Sequence, residues 1–116
     1  MRFKRGDRLK KRNAIRNVFN SGKRVNCSGA KLFFLPNGCP ENRIAFTFSR
    51  KFGIAVERNR SKRCSREAYR HTHPSLAHGY DLVLLVYPGN DTFKIRIEQL
   101  KTLFNKAGLF AEAVPQ

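Results

Sequence analysis

The chain has 116 residues, of which 24 are Lys or Arg and 8 are Asp or Glu, so its net charge is +16. Such a charge attracts polyanions, while 41% hydrophobic residues, including ten Phe, suffice for a core and exclude overall disorder. No apolar run approaches the ~18 residues of a membrane span, and no apolar signal core follows the basic N-terminus. We therefore expect one cytoplasmic domain over residues 1–116 that does not enter a membrane.

The charge is segregated along the chain. Residues 1–70 contain 20 basic and 4 acidic side chains, whereas residues 71–116 contain four of each, so all the net charge lies in the first part. This asymmetry indicates a dedicated nucleic-acid surface rather than general solubility.

The first elements follow a basic arm over residues 1–12. Asn13 is predicted to cap a short helix over 14–20, which Ser21-Gly22 would end. Three apolar side chains share one face of this helix: Ile15, Val18 and Phe19.

Two extended segments come next. Residues 25–35 are predicted to be extended, with a break at Ser28-Gly29, and residues 43–49 form a strand that alternates clearly. One sheet face would be apolar, with Ile44, Phe46 and Phe48. The other would be partly wet and would mix Lys31, Phe33, Thr47 and Ser49.

The second half contains a basic helix over 54–71, a central strand over 81–88 that is apolar on both faces, and a helix over 93–107. Thr92 or Asp91 is predicted to cap this last helix, Gly108 to end it, and residues 111–116 to form a tail. Its predicted core stripe is Phe93, Ile97, Leu100, Leu103, Phe104 and Ala107. The order, with one further short strand, predicts a small α+β domain with about four strands and three helices on a single sheet.

The basic helix divides into two faces at ~100° per residue. Arginine dominates its outer face, and the planar guanidinium suits bidentate contacts to phosphate. The outer row comprises Arg58, Lys62, Arg66 and Arg70, with Asn59 and Arg63 beside it and Arg60 further round. The opposite sector holds small side chains, Ser61, Cys64, Ser65 and Ala68, which permit close packing on a sheet. The alternative is a charged face that only meets solvent. Such a face usually mixes positive and negative side chains, and this mixture hardly occurs here, so we expect RNA or DNA binding.

These residues resemble the protein subunit of bacterial ribonuclease P. The resemblance rests on the pattern Ser49-Arg-Lys51-x-Gly53-x-Ala55-Val56-x-Arg58-Asn59-Arg60-x-Lys62-Arg63-x-x-Arg66-Glu67. The opening Arg8-Leu-Lys-Lys11, the strand Tyr80-Asp-Leu-Val-Leu-Leu-Val86 and the closing amphipathic helix are also similar to the family. The resemblance covers about residues 5–110.

The resemblance implies a non-catalytic protein without catalytic or metal-binding residues of its own. A large RNA would carry the active site of this endoribonuclease and remove the 5′ leader of precursor tRNA with Mg²⁺, held mainly by the RNA and the substrate. The fold would resemble domain 2 of ribosomal protein S5, with a left-handed βαβ crossover, although the right-handed form is the common one. The residues implied to bind the catalytic RNA are Arg50, Lys51, Arg58, Asn59, Arg60, Lys62, Arg63, Arg66 and Arg70.

The resemblance further implies a cleft for the leader between the first helix and the sheet. Its residues would be Lys11, Ile15, Phe19, Lys31, Phe33, Thr47 and Ser49. Ile15 departs from the usual aromatic residue, and an aliphatic chain packs on a base without stacking as a ring does. Core packing is the alternative role for the apolar members, and it competes more strongly for Phe19 than for Phe33.

Other functions are weaker candidates. His71, His73 and His78 with Cys64 lack the spacing of a zinc site, and the three cysteines, Cys27, Cys39 and Cys64, are expected to be reduced thiols. No phosphate loop or carboxylate pair suggests a small-molecule substrate or a self-sufficient nuclease. The alternatives from other classes are a structural ribosomal protein and a nonspecific DNA-compacting protein.

Overall fold

The computed structural model describes residues 12–49, 53–72, 76–88 and 92–110. Within these ranges the order is α-β-β-β-α-β-α, which confirms the predicted α+β domain. The elements are α1 (Arg12–Ser21), β1 (Lys23–Cys27), β2 (Ala30–Pro36), β3 (Arg43–Phe48), α2 (Ala55–Thr72), β4 (Tyr80–Val86) and α3 (Phe93–Ala107). The predicted arm lies outside the described residues except for Arg12, and so does the predicted tail.

One mixed sheet has the strand order β1-β2-β4-β3. β1 pairs antiparallel with β2 and β2 with β4, as in the register of Phe33 opposite Val83. β3 and β4 are parallel, with Phe46 opposite Leu84, so the chain between them, which contains α2, makes a crossover. The central place of β4 confirms the inference from its two apolar faces. The left hand of the crossover stays a prediction.

The larger core lies between the sheet and the helices α2 and α3. Alternate side chains of β2, β3 and β4 point into it, among them Leu32, Ile44 and Leu84. Leu100, Leu103 and Phe104 enter from α3, while α2 contributes Ala68 and Tyr69. The strand alternation predicted for Ile44, Phe46 and Phe48 is thereby confirmed.

A smaller core lies on the opposite face of the sheet, under α1. Val18 is fully buried there against Phe33, Ala45 and Val83. Gly22 makes the close approach possible, because a Cβ atom at this position would lie 2.6 Å from the carbonyl oxygen of Val18 and 2.8 Å from that of Phe34. The helix α1 therefore turns directly into β1 while it rests on the sheet.

The ends of the helices match the sequence in part. Thr92 Oγ1 accepts a hydrogen bond from the Ile95 amide, and Gly108 follows the last turn of α3, as predicted. Asn13 lies inside α1, so its assignment as the cap was wrong; Arg12, a better helix former, extends the helix. Phe93 was also assigned wrongly to the core, because it sits on the first turn of α3, 40% exposed, and packs edge-on against His71.

An ion pair joins the two parallel strands at one end of the sheet. Arg43 donates from Nε to Asp81 Oδ1 at 2.9 Å and from Nη2 to Oδ2 at 3.0 Å, and these bonds raise the pKa of the guanidinium. Asn37 donates to the same carboxylate at 2.9 Å. Asp81 is therefore occupied by structural contacts.

Candidate nucleic-acid interface

The small side chains of α2 are buried as predicted, but Ser61 and Ser65 face Arg96 of α3, so the expectation that they pack on the sheet was wrong for these two. Ser61, Ser65 and Ala68 are fully buried against the rest of the domain, and Cys64 is half-buried beside them. The helix backbone can therefore approach its neighbours closely, and the opposite side must face outward. The sequence-based division of α2 into a packing face and a cationic face is confirmed.

Behind this packing face lies a buried arginine that the sequence interpretation missed. Arg96 of α3 is 1% exposed and donates from Nη1 to Ser61 Oγ at 3.3 Å and to Ser65 Oγ. Its Nε donates to Gln99 Oε1 at 2.8 Å. Since a buried charge needs several polar partners, Arg96 couples α3 to the inside of α2. The signal was present, because Arg96 precedes buried Leu100 and Leu103 by four and seven residues.

The outer face of α2 carries the predicted cations. Arg58, Asn59, Arg60 and Arg63 are exposed, whereas Lys62, Arg66 and Arg70 are half-buried at its margins. Arg70 forms an ion pair with Glu67. Like charges at i, i+4 along this face cost about 0.2–0.5 kcal/mol per pair in an isolated helix, so a bound polyanion would relieve them. Arg50 and Lys51 lie outside the described residues.

A shallow groove of about 520 Å³ runs along this outer face. Its lining combines an apolar side chain, an amide and three cations, namely Val56, Asn59, Lys62, Arg63 and Arg66. The groove therefore offers chemistry beyond simple attraction of phosphate.

The aromatic residues predicted for the leader cleft meet on the face of the sheet under α1. The rings of Phe19 and Phe33 meet edge-on, with 4.7 Å between their centroids, and Ile15 packs against the same cluster. Lys31 Nζ lies 6.0 Å from the centre of the Phe33 ring. A cation thus borders the aromatic pair, within the usual range of a cation–π contact.

The predicted polar residues Lys31 and Thr47 lie on β2 and β3, the two strands that flank β4. Lys31 and Thr47 both stand opposite Leu85 in the register, one on each side of β4. Thr47 Oγ1 donates to the Leu84 carbonyl at 3.1 Å, whereas the buried Ser49 Oγ has no hydrogen-bond partner among the described residues. Lys11, the predicted rim residue, lies outside those residues. Observed contacts thus join four of the seven predicted side chains, Ile15, Phe19, Lys31 and Phe33. Thr47 stands on the far side of β4, and Ser49 follows it by two residues.

The exposures of the two rings reverse the sequence-based ranking. Phe33 is 7% exposed and belongs to the smaller core, whereas Phe19 is 37% exposed. The expectation that core packing competes more strongly for Phe19 was therefore wrong. The cause is that α1 lies over β2, which covers the ring on the strand and leaves the ring on the helix at the surface.

Arg24 is a further cation on this face that the sequence interpretation did not select. It lies directly opposite Phe33 on β1, and directly opposite residues of antiparallel strands share one face of the sheet. Its side chain is exposed. The alternation of β1 could have indicated this placement once the pairing of β1 with β2 was known.

The described residues contain no group of three or more His, Cys, Asp or Glu that could hold a metal ion. His71 contacts the Phe93 ring, with 5.2 Å between the ring centroids. None of the helices described is both long and apolar enough to cross a membrane.

A four-stranded sheet with an outward cationic helix on one face and a pair of aromatic rings beside a lysine on the other defines a small basic α+β domain of the RNA-binding class. A family model described as Ribonuclease P matches residues 3–108. A ribonuclease P protein component from Caldanaerobacter subterraneus subsp. tengcongensis is 32% identical over 107 residues, which cover 90% of this chain and 92% of that one. The chain belongs to the ribonuclease P protein family, whose members are RNA-binding components of an endoribonuclease of tRNA processing.

Solved structures agree with this assignment. The ribonuclease P protein of Thermotoga maritima matches with a TM-score of 0.72 at 28% identity, covering 82% of this chain and 92% of that chain. The Staphylococcus aureus protein matches with a TM-score of 0.79 at 23% identity, covering 90% and 97%, and this likeness concerns the fold alone. Family membership favours a role in ribonuclease P over the ribosomal and DNA-compacting alternatives.

Proposed function

We propose that this chain is the non-catalytic protein subunit of a bacterial ribonuclease P, in which a catalytic RNA removes the 5′ leader of precursor tRNA. The protein binds that RNA with the outer face of α2 and holds the single-stranded leader in the cleft under α1. The observation that carries the proposal is the placement of both surfaces on one sheet, with α2 and α1 on opposite faces.

The outer face of α2 suits the phosphate backbone of a folded RNA. Its exposed guanidinium groups present forked donors for bidentate contacts, and each neutralised phosphate releases counterions. Arg58, Arg60 and Arg63 are the cations most available for this role, with Arg50 and Lys51 preceding them in sequence. Because the inner face of α2 is held by Arg96, the cations would meet the RNA as a preformed surface.

The cleft suits a single strand whose bases are unpaired. The exposed Phe19 ring offers a stacking surface, Ile15 extends it with an aliphatic contact, and Lys31 lies close enough to pair with the backbone of the same strand. Thr47, Ser49 and Lys11 would add polar contacts. A duplex would not fit this chemistry, since its bases are stacked on one another.

Mg²⁺ in this proposal belongs to the RNA and the substrate. The described residues offer no cluster of three metal-binding side chains, and Asp81 is already bound by Arg43 and Asn37. The protein would instead hold RNA and leader in place, so that less Mg²⁺ is needed to overcome phosphate repulsion. The proposed complex works in the cytoplasm and takes no small-molecule substrate.

Reconstituted cleavage tests the proposal. The catalytic RNA of a bacterial ribonuclease P is mixed with this chain and a precursor tRNA at near-physiological salt, and release of the leader is followed while Mg²⁺ is varied. We expect the chain to lower the Mg²⁺ concentration required for cleavage. The matched control is the Arg58→Ala, Arg63→Ala double variant, which should lower the required Mg²⁺ concentration less than the parent chain does. A chain that leaves the Mg²⁺ requirement unchanged would disprove the proposed role.

A further inference from the structure

The groove on the outer face of α2 contains an apolar side chain that phosphate binding does not require. Val56 is 62% exposed although it borders three cations, and Ile54, two residues earlier, is 66% exposed. Of these two, Val56 lines the groove and Ile54 does not. Single exposed apolar residues are common on protein surfaces, so Val56 is informative only because it lines the same groove as an amide and three cations. In that combination it offers an apolar contact to a ligand that has an apolar face of its own.

The side chains that line the groove change in polarity and charge along α2. Val56, Asn59, Arg63 and Arg66 follow each other at intervals of three, four and three residues, which places them on one stripe of α2. At a rise of about 1.5 Å per residue the stripe is about 15 Å long. Its first turn is apolar and uncharged, and its later turns are cationic.

Asn59 differs from its neighbours in the chemistry that it offers. The amide carries both donors and an acceptor but no charge, so it matches the edge of a nucleobase better than a phosphate. Guanidinium and ammonium groups carry donors and charge, which suit phosphate. The first part of the stripe, with Val56 and Asn59, therefore suits a base, and the cationic second part suits the phosphates.

We propose that this groove binds one unpaired nucleotide of the partner RNA, with the base against Val56, its edge on Asn59, and the adjoining phosphates on Lys62, Arg63 and Arg66. This inference rests on the proposed function, because it takes the catalytic RNA as the partner. It adds base recognition to a surface that would otherwise bind only the charged phosphates. An unpaired nucleotide is required, since a paired base hides its faces in the stack.

Salt dependence separates base contacts from phosphate contacts. Loss of one phosphate contact lowers affinity and also reduces the slope of log affinity against log salt by about 0.7–0.9. Loss of a base contact lowers affinity while leaving that slope unchanged, because no counterion is released there. A residue that merely supported the fold would instead lower the melting temperature.

The experiment measures binding of the full chain to the catalytic RNA of a bacterial ribonuclease P between about 50 and 200 mM salt. The variants are Val56→Ser, Asn59→Ala and Arg63→Ala, with Ile54→Ser as the matched control. We expect Val56→Ser and Asn59→Ala to weaken binding about three- to tenfold with parallel salt lines, the loss of one apolar contact or one hydrogen bond. Arg63→Ala should flatten the line, and Ile54→Ser should match the parent. All four sites are exposed, so melting temperatures should stay unchanged.

Two results would overturn the inference. Equal affinities for Val56→Ser and Ile54→Ser would show that no base contacts Val56. A flattened salt line for Asn59→Ala would show that Asn59 contacts a phosphate and not a base. A set of RNAs with single abasic nucleotides adds an independent measurement. One abasic position should weaken binding of the parent chain and have little further effect on Val56→Ser. If the parent chain does not bind the catalytic RNA at all, the proposed function fails, whereas neutral variants of a chain that binds refute the base site alone.

Discussion

The ring of Phe19 stands at 72° to the ring of Phe33, with 4.7 Å between their centroids. The ring from the strand is buried and the ring from the helix is half-exposed, so in the proposed cleft Phe33 would form the floor and Phe19 the wall. A base entering the cleft would therefore meet Phe19 first. The two residues should respond differently to substitution.

Phe19→Ala should weaken binding of precursor tRNA by the assembled complex without weakening that of mature tRNA. Stacking of one base on an aromatic ring contributes about 1–3 kcal/mol, which corresponds to about 5- to 150-fold in affinity. The measurement compares the two affinities for the complex of this chain with the catalytic RNA. An equal loss for both RNAs would argue against a leader contact at Phe19.

Phe33→Ala should act mainly on stability. Removal of a buried phenyl ring costs about 3–5 kcal/mol in the free energy of unfolding, which chemical denaturation measures. Phe33→Leu keeps most of the volume and removes the aromatic face, so it isolates any stacking role. A fully stable Phe33→Ala protein would contradict the placement of this ring in the smaller core.

Gly53→Ala should destabilise the start of α2. The φ angle of Gly53 is +123°, a conformation that costs residues with a Cβ about 1–3 kcal/mol. A methyl group there would also come within 2.0 Å of Glu57 Oε1, but that carboxylate ends a flexible side chain and can move. The double variant Gly53→Ala, Glu57→Ala should therefore stay as unstable as the single one. Recovery in the double variant would assign the cost to the clash instead of the backbone.

Ser65→Ala should lower the free energy of unfolding by about 1.5–3 kcal/mol, because its hydroxyl accepts a hydrogen bond from the buried guanidinium of Arg96. In the background of Arg96→Met the same change should cost less, since the hydroxyl can then bond within its own helix. Denaturation of the two single variants and the double variant measures this coupling. Additive losses would show that the contact contributes little.

Cys27 should react with iodoacetamide more slowly than Cys39. Burial raises the pKa of the Cys27 thiol, so a smaller fraction is thiolate at neutral pH, whereas Cys39 is exposed. The rate at Cys27 should keep rising above pH about 8.5, the ordinary cysteine pKa. In that range the unfolded chain loses this proton first, so the shift makes the free energy of unfolding fall with pH. Equal rates at both cysteines, read by mass spectrometry, would contradict this.

The helix α3 shows what local sequence signals can predict. Its bounds at Phe93–Ala107 follow from a side-chain cap at Thr92 and a stop at Gly108, both of which act through neighbouring backbone groups. Its packing was predicted less well, because residue type placed Phe93 inside and overlooked Arg96. The spacing of Arg96 with Leu100 and Leu103 indicated its face, but the two hydroxyls of another helix that accept its hydrogen bonds lie outside that local pattern.

For the candidate sites, too, local sequence signals predicted one part, whereas tertiary packing determined the other. Helical spacing alone predicted which side of α2 faces outward, since the small and the cationic residues repeat with one period. The arrangement of the cleft residues depends on the pairing of β2 with β4 and on the position of α1, and local periodicity predicts neither. The order of exposure of Phe19 and Phe33 was therefore beyond the sequence pattern.

The serine face of α2 has a consequence for how such a protein evolves. Ser61 and Ser65 have no exposed surface, yet a larger side chain at either position would push the helix outward and displace the cations on its other side. Under the proposed contact of α2 with RNA, variation at these two positions would be constrained by an RNA that they never touch. Partner RNA and protein core are expected to change together over time, with substitutions inside the domain compensated by substitutions in the nucleic acid.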